Sequence, residues 1–421
     1  MNLPLPNDPD QDTQPYESSR YASLVLNLGR ALHRVGSPAH RLETAMQVMA
    51  DRLGLQAEFF STPTVLMVSL GDGSQQQTYL ARVEPGGTDL SKLADLSRVM
   101  VQLEQRELDP LEANRIVEAI DQRPARYRGL ALVLAYALVS GGVGALIGGG
   151  IRELLLAAAL GGVTGLSVIG LSRLVLTDRP EMIRLLSPLA AMLVTFLGFV
   201  WCGLDGQTAL MPSIIAGIIT LLPGLDLTVS ARELATGHMV SGAARAASTL
   251  MIFALLAFGL MLGGSIGQWM VGPVELLQAN PPTGWLMATG FGLAALGFTV
   301  LFQAHWRDWI WMLLACLVAS TAIGLGRMLE SPVLAAFMGG IAVGLVANVF
   351  ARVSNKPGSI MLLPGLILLV PGSIGMQSLT ALLDRNVITG IETAFLAGMV
   401  AVALTTGLIL ASVLVPPRIN L

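Results

Sequence analysis

"LLPGLDLTVSARELATGH", residues 221–238, breaks an otherwise apolar chain. A hydrophobic run stops at Pro223-Gly224, Asp226, Arg232, Glu233 and His238 follow, and a second hydrophobic run starts at once. Shifted by 148 residues, the interruption recurs in "PGSIGMQSLTALLDRNVITGIETAFLAGM", residues 371–399. Pro223 meets Pro371, Gly224 meets Gly372, Ser230 meets Ser378, Gly242 meets Gly390 and, further on, Gly259 meets Gly407. Segments rich in Ala and Leu match by chance, so the aligned Pro-Gly pair and the aligned glycines carry the duplication. Upstream, "SPLAAML" from Ser187 and "SPVLAAFM" from Ser331 also correspond, with a small difference in length.

The duplicated chain is 53% hydrophobic and only 13% charged, with a mean hydropathy of +0.67. Soluble domains carry about 25% charged residues. Residues 1–128 hold most of the charge, and apolar runs recur from Gly129 onward. A hydrocarbon core of roughly 30 Å takes about 20 such residues per helix. A transmembrane β-barrel would instead show short alternating segments. The apolar part divides into about ten spans, five in each copy, near 129–150, 154–176, 186–204, 208–222, 243–267, 285–303, 309–326, 332–351, 358–371 and 390–415. An odd number of spans per copy forces the two copies to insert in opposite orientations. The predicted fold is a polytopic α-helical membrane protein: about ten transmembrane helices as two inverted five-helix repeats, preceded by a small cytoplasmic α/β domain. The expected boundaries are a disordered segment 1–19, the α/β domain 20–125, the first membrane repeat 126–272 and the second 283–416.

Loop charge sets the orientation. Arg123, Arg126 and Arg128, then Arg173, Arg179 and Arg184, then Arg232 and Arg245, Arg307, Arg352 and Lys356, and finally Arg418 fall on one parity; Arg152, Arg327 and Arg385 fall on the other. Because positive charge stays inside, both termini and the α/β domain are expected in the cytoplasm of an inner-membrane protein. The acidic, Pro-rich start has no apolar segment of a signal peptide, so the first span is expected to direct insertion. Within 20–123, Val25, Leu28, Leu32 and Val35 recur at helical spacing, Ser37-Pro38 and Asp109-Pro110 read as helix starts, and Tyr79, Ala81 and Val83 alternate as in a strand.

In both copies the span leading to Pro-Gly is short or broken: residues 208–222 make roughly 22 Å of helix, and Pro364-Gly365 precedes Pro371-Gly372. Paired Pro/Gly-broken segments at matching positions point to a binding site near the bilayer midplane. Each break frees backbone N–H groups at a positive helix end, suited to a carboxylate. Ionisable groups within spans are costly and mark transport paths or proton relays. The expected substrate and proton pathway therefore comprises Pro223, Gly224, Asp226, Arg232, Glu233, Gly242, Arg245, Pro371, Gly372 and Glu392, with the first Pro-Gly toward the cytoplasm and the second toward the outside. Plainer roles compete. Asp226 would serve equally as a helix cap, the arginines as interfacial residues, and His238 as a loop residue.

Other chemistries find no residues. Cys202 and Cys316 lie in apolar runs and form neither a disulfide framework nor a metal-ligand spacing. No catalytic residue, metal or cofactor is predicted: Walker, H-E-x-x-H and G-x-S-x-G patterns are absent, and Lys92 and Lys356 are the only lysines. A net charge of −3 without a basic stripe gives no reason to expect nucleic acid. Gly161/Gly165 and Gly340/Gly344 have the small-xxx-small spacing of close helix packing.

"HRVGSPAHRLETAMQVMADRLGL", "LLPGLDLTVSARELATGHMVSGAARA" and "LLVPGSIGMQSL", in that order, resemble the threonine/serine exporter family over about residues 20–415. Pro223, Gly224, Asp226, Glu233, Gly242 and Arg245 match its first signature, Pro371 and Gly372 its second, and Gly36, Arg41 and Glu43 a G…R-x-E pattern in the soluble part. The resemblance implies export of threonine, serine or a related small carboxylate such as succinate, with protons as the expected coupling partner. The lipid bilayer is the other expected partner, and a homo-oligomer is compatible with the sequence. Two readings stand beside it: a membrane-anchored cytosolic sensor or hydrolase domain, and a dicarboxylate exporter or passive channel.

Overall fold

The computed structural model describes residues 14–71, 76–84, 86–148, 150–175, 185–274, 277, 283–369, 372–383 and 386–417. Pro371, Asp384, Arg385, Arg418, Arg179 and Arg184 lie outside these residues, as do the side chains of Arg173 and Arg327. The chain forms two compact units that divide between Pro124 and Ala125.

The first unit holds four helices, α1 (Gln14–Arg34), α2 (Ala39–Arg52), α3 (Leu90–Glu104) and α4 (Pro110–Gln122). Between α2 and α3 run β1 (Ala57–Ser61), β2 (Val65–Leu70) and β3 (Gln77–Arg82), an antiparallel sheet in the order β1-β2-β3. Consecutive strands pair, so this is a segregated helix-and-sheet unit without β-α-β alternation. β2 alternates as a half-buried strand must, with Leu66, Val68 and Leu70 turned inward. Leu24, Leu28, Leu32, Leu42, Met46 and Leu96 fill the core against Leu66. Asp89 and Asp109 cap α3 and α4 through the N–H groups of Lys92 and Leu111.

Two local expectations are corrected. Pro38, extended at ψ 152°, occupies the cap position, so α2 starts one residue later than Ser37-Pro38 suggested and has no side-chain cap. α1 begins at Gln14, inside the segment expected to be disordered. Proline is tolerated in a first helical turn, so Pro15 does not stop it.

The second unit is helical: α5 (Leu130–Gly148), α6 (Ile151–Val175), α7 (Leu186–Asp205), α8 (Leu210–Gly217), α9 (Gly224–Ala235) and α10 (Met239–Val271) form the first copy. α11 (Gly284–Leu301), α12 (Trp309–Met328), α13 (Pro332–Ser354), α14 (Ser359–Leu369), α15 (Gly372–Leu383) and α16 (Val387–Leu414) form the second. The starts of α9 and α15, and of α10 and α16, are separated by the same 148 residues as the sequence repeat. Among the described residues nine helices are long and apolar enough to cross a membrane, and a tenth if the bent pair Leu210–Gly217 and Ile219–Ala235 is one span.

Packing is duplicated with the sequence. α7 lies on α10 as α13 lies on α16, and α9 and α15 each pack on the long helix that follows them. A Cβ added at Gly259 of α10 would come within 2.3 Å of the Pro188 carbonyl oxygen, and one at Gly407 of α16 within 2.4 Å of that of Phe337. The two copies also touch at equivalent residues. α5 crosses α11 where a Cβ on Gly142 would lie 2.6 Å from the Gly290 oxygen, and one on Gly290 2.9 Å from the Gly142 oxygen. These two glycines are again 148 apart. Reciprocal contact between equivalent residues is what a two-fold relation between the copies would produce close to its axis.

A second equivalent pair also meets. A Cβ on Gly372 would sit 3.4 Å from the Gly224 Cα, so the two breaks are adjacent. This corrects the expectation that they lie toward opposite faces. That expectation ended the fourth span at Leu222, but α8 is only eight residues, about 12 Å, and the pair Leu210–Gly217 and Ile219–Ala235 bends by 48°, as a broken span or a re-entrant pair does. Pro364-Gly365, expected to interrupt the ninth span, lies inside α14, and Gly365 lets Val343 pack closely there.

Candidate functional site

The site is built on α9 and the start of α10. Pro223, at φ −81° and ψ 43°, stops the 3₁₀ turn Ile219–Leu221 and gives α9 no side-chain cap. Asp226 follows in the first turn of α9 and makes no cap either; its carboxylate accepts from Arg245 instead. At the other end of α9, Gly237 takes a left-handed φ of +88°, and the chain reverses through Thr236–His238 into α10. His238 sits in this turn, its ring within 3.1 Å of the Thr236 hydroxyl. Gly242 then lets α10 approach: a Cβ there would lie 2.7 Å from the Leu234 Cγ.

That approach brings Arg245 onto α9. Its Nε donates to Glu233 Oε2 at 3.2 Å and its Nη2 to Oε1 at 3.4 Å, a two-pronged pair, while Nη1 donates to Asp226 Oδ1 at 3.2 Å. The Glu233 side chain is 0% exposed, that of Arg245 22% and that of Asp226 47%. One guanidinium thus holds one fully buried and one half-open carboxylate. Asp226 and Glu233 are seven residues apart, two helical turns, and so share the face of α9 that meets α10.

Arg232 is on a different side. No carboxylate among the described residues forms an ion pair with it, and its Nε is buried without a hydrogen-bond partner. It follows Thr228 by one turn, and the Thr228 carbonyl oxygen accepts from Thr405 Oγ1 of α16 at 3.4 Å. α9 therefore presents Glu233 to its own copy and Arg232 beside the face that touches the other copy.

Thr249 was missed by sequence reasoning. It lies one turn beyond Arg245 on the buried face of α10 and is 0% exposed, with no partner for Oγ1. Thr195 and Thr299, by contrast, bond back to the carbonyl four residues earlier at 2.8 Å. One turn further, Phe253 packs on Gly375 in the first turn of α15. The signal was the spacing Arg245–Thr249–Phe253, which a reading confined to charged residues passes over.

Second-copy counterparts carry no charge: Ile374 answers Asp226, Thr380 answers Arg232, Ala381 answers Glu233 and Thr393 answers Arg245. Glu392 is exposed on α16 and is not brought to the cluster. Other ionic contacts fix the outer ends of the broken helices. Glu153 accepts from the Ala209 N–H at 3.0 Å just before α8, and Asp308, 1% exposed, holds Lys356 just before α14.

In the first unit the three pattern residues have backbone roles. Gly36 turns the chain at φ +83°, the Arg41 N–H donates to the Pro38 oxygen at 3.1 Å, and Glu43 Oε1 accepts from the Ser61 N–H at 2.6 Å. His33 Nε2 lies 3.0 Å from the Thr62 oxygen. Glu43 and His33 thus tie helices to the end of β1.

Residues 23–267 match the family model described as "Putative threonine/serine exporter", and residues 288–414 match one described as "Threonine/Serine exporter, ThrE". The chain is similar to the "Threonine/serine exporter" of Corynebacterium glutamicum, at 27% identity over 344 residues, 79% of this chain and 70% of that protein. It is also similar to "Pheromone-regulated membrane protein 10" of Zygosaccharomyces rouxii, at 23% over 337 residues, 78% of this chain and 34% of that protein. The protein of the same name from Candida glabrata is 22% identical over 397 residues, 90% of this chain and 50% of that one. The chain thus spans about a third to a half of the length of these fungal relatives. No solved structure matches it.

Proposed function

The chain belongs to the threonine/serine exporter family, and we propose that it is a secondary exporter of small amino acids, threonine or serine, across the inner membrane. The observation that carries this reading is the meeting of the two helix breaks, Gly224 against Gly372, at equivalent positions of the copies. For inverted repeats the axis relating the copies lies in the membrane plane, which supports a mid-depth position for breaks that meet in this way. Backbone without helical partners is tolerated there only where protein or a water-filled cavity covers it. The first turns of α9 and α15 offer N–H groups to a carboxylate at that depth.

The same geometry supports alternating access. α9 packs on α16 and α15 on α10, so each broken helix bridges both copies. A rocking of one copy against the other would open the breaks to one side at a time. Asp226, half-open and held by a single contact to Arg245, is the carboxylate suited to take the coupling proton. Glu233, buried and doubly held, keeps Arg245 in place. With both termini cytoplasmic, the cluster lies between the midplane and the cytoplasmic face, on the side from which an exporter loads.

The test is counterflow in proteoliposomes with threonine, serine and succinate, with and without a pH gradient. Exchange of threonine or serine that accelerates with the gradient is the expected result. Exchange of succinate alone would move the substrate to dicarboxylates, and flux indifferent to a proton ionophore would leave a passive channel. Accessibility labelling of single cysteines at residues 207 and 355 tests the orientation, which requires them on opposite sides.

A further inference from the structure

Two arginines lie on the α9–α10 pair, and only one has its charge answered. Arg245 meets two carboxylates, whereas Arg232 meets none among the described residues and has a buried Nε without a partner. A guanidinium is always charged, and holding it half-buried, with a buried Nε unanswered, within a membrane segment is costly. Such a cost is retained where an anion completes the pair for part of a working cycle. Arg232 also stands beside the α9 face that contacts α16, the seam between the copies, where the Thr405 hydroxyl reaches the Thr228 carbonyl one turn away. Its second-copy counterpart, Thr380, is neutral, so this positive group occurs on one side of the axis only.

We propose that the Arg232 guanidinium is the docking group for the carboxylate of the transported molecule as it loads, ahead of the helix breaks, and that Arg245 is a positioning residue held by Glu233 and Asp226. This rests on the exporter reading. The sequence pattern places both arginines in one expected pathway, and the proposal separates their roles. The planar fork of arginine matches a carboxylate through two parallel hydrogen bonds, a geometry that lysine does not reproduce.

The experiment uses the full chain in proteoliposomes and compares threonine with threoninamide, which lacks the carboxylate, as competitors of threonine counterflow. In Arg232→Gln the half-saturating threonine concentration should rise about tenfold or more, as expected for loss of a charge-assisted pair. Arg232→Lys should fall between it and the unmodified protein. Threoninamide should compete weakly with the unmodified protein and equally weakly with Arg232→Gln. Equal losses for both compounds, or no change for either, overturn the proposal. So does an effect that vanishes when anionic lipids are replaced by zwitterionic ones, since Arg232 would then be pairing with a lipid phosphate. Thermal unfolding should find Arg232→Gln as stable as the unmodified protein, because no native ion pair is lost. If the unmodified protein exchanges none of the three substrates, the exporter reading fails by itself. Arg232 is then judged by thermal stabilisation with threonine against threoninamide, in the unmodified protein and in Arg232→Gln.

Discussion

Arg245→Gln should be among the most damaging single substitutions in the membrane unit, and the reason is Glu233. That carboxylate is 0% exposed and forms a two-pronged ion pair with Arg245, at 3.2 and 3.4 Å. Removing one partner of a buried ion pair takes that counter-charge from the other and costs about 3–5 kcal/mol. The Asp226 arm has the same 3.2 Å contact, but its carboxylate is 47% exposed. Water already solvates much of it, so Asp226→Asn should cost only about 0–1 kcal/mol. Equal distances thus predict unequal energies, and burial decides. The assay is a double-mutant cycle on purified protein, with unfolding followed by tryptophan fluorescence from its six tryptophans. Removing both members of the buried pair, Arg245→Gln with Glu233→Gln, should recover about 0.5–3 kcal/mol relative to the sum of the singles. The reasoning is refuted if Asp226→Asn costs as much as Arg245→Gln, or if the cycle gives strict additivity. Either result would mean that the Glu233 fork does not exist in the folded protein.

Crossing at Gly142 and Gly290 should be intolerant of a side chain: Gly142→Val and Gly290→Val each place a Cβ within 2.9 Å of the opposing oxygen and should cost about 1–3 kcal/mol by overpacking, read as lowered thermal stability. Gly372→Ala is a gentler change, since its Cβ would meet nothing closer than 3.4 Å. It should leave thermal stability nearly unchanged while slowing counterflow by filling the space between the breaks, and full-speed exchange would count against the proposed site. Thr249→Val removes the unpartnered hydroxyl of a fully buried residue; stability should hold or rise, while competition by serine and threonine weakens relative to alanine. In the first unit, Asp89→Ala removes the bond to the Lys92 N–H and should cost about 1 kcal/mol in the unfolding of that unit.

Much of the fold was legible because hydrophobic length and repeated glycines are written along the chain. The Pro-Gly pair and the 148-residue shift were enough to count five spans twice. Depth was not legible. A run of apolar residues ending at Leu222 reads as a finished helix, and only packing reveals that Gly224 rests on Gly372. The charged residues of the site were legible for a related reason: Asp226, Arg232, Glu233 and Arg245 stand out against an apolar background. Their partners were not. Helical spacing places Asp226 and Glu233 on one face, but which arginine meets them depends on the close approach at Gly242. Glu392 shows the converse error, since a carboxylate in an apolar run need not face the interior. Thr249 was passed over because its one sequence signal is its spacing from Arg245 and Phe253, and its missing hydrogen bond shows only in the packing.

Backbone symmetry and charge asymmetry together say something that neither says alone. The two copies share start positions, packing partners and glycine contacts, so exchanging their conformations costs little in backbone terms. An inverted pair with identical side chains would be equally stable open to either side. Here one copy carries Asp226, Arg232, Glu233 and Arg245, and the other carries Ile374, Thr380, Ala381 and Thr393 at the same places. Desolvating four charged groups is costly, and desolvating two hydroxyls and two apolar side chains is not. The state in which the charged half is closed from water is therefore penalised relative to its mirror image, and the resting protein should stand open on the charged side. On the proposed coupling, protonating Asp226 and seating a carboxylate at Arg232 would remove part of the penalty. Occupancy by proton and substrate together would then permit the closure that either alone leaves costly.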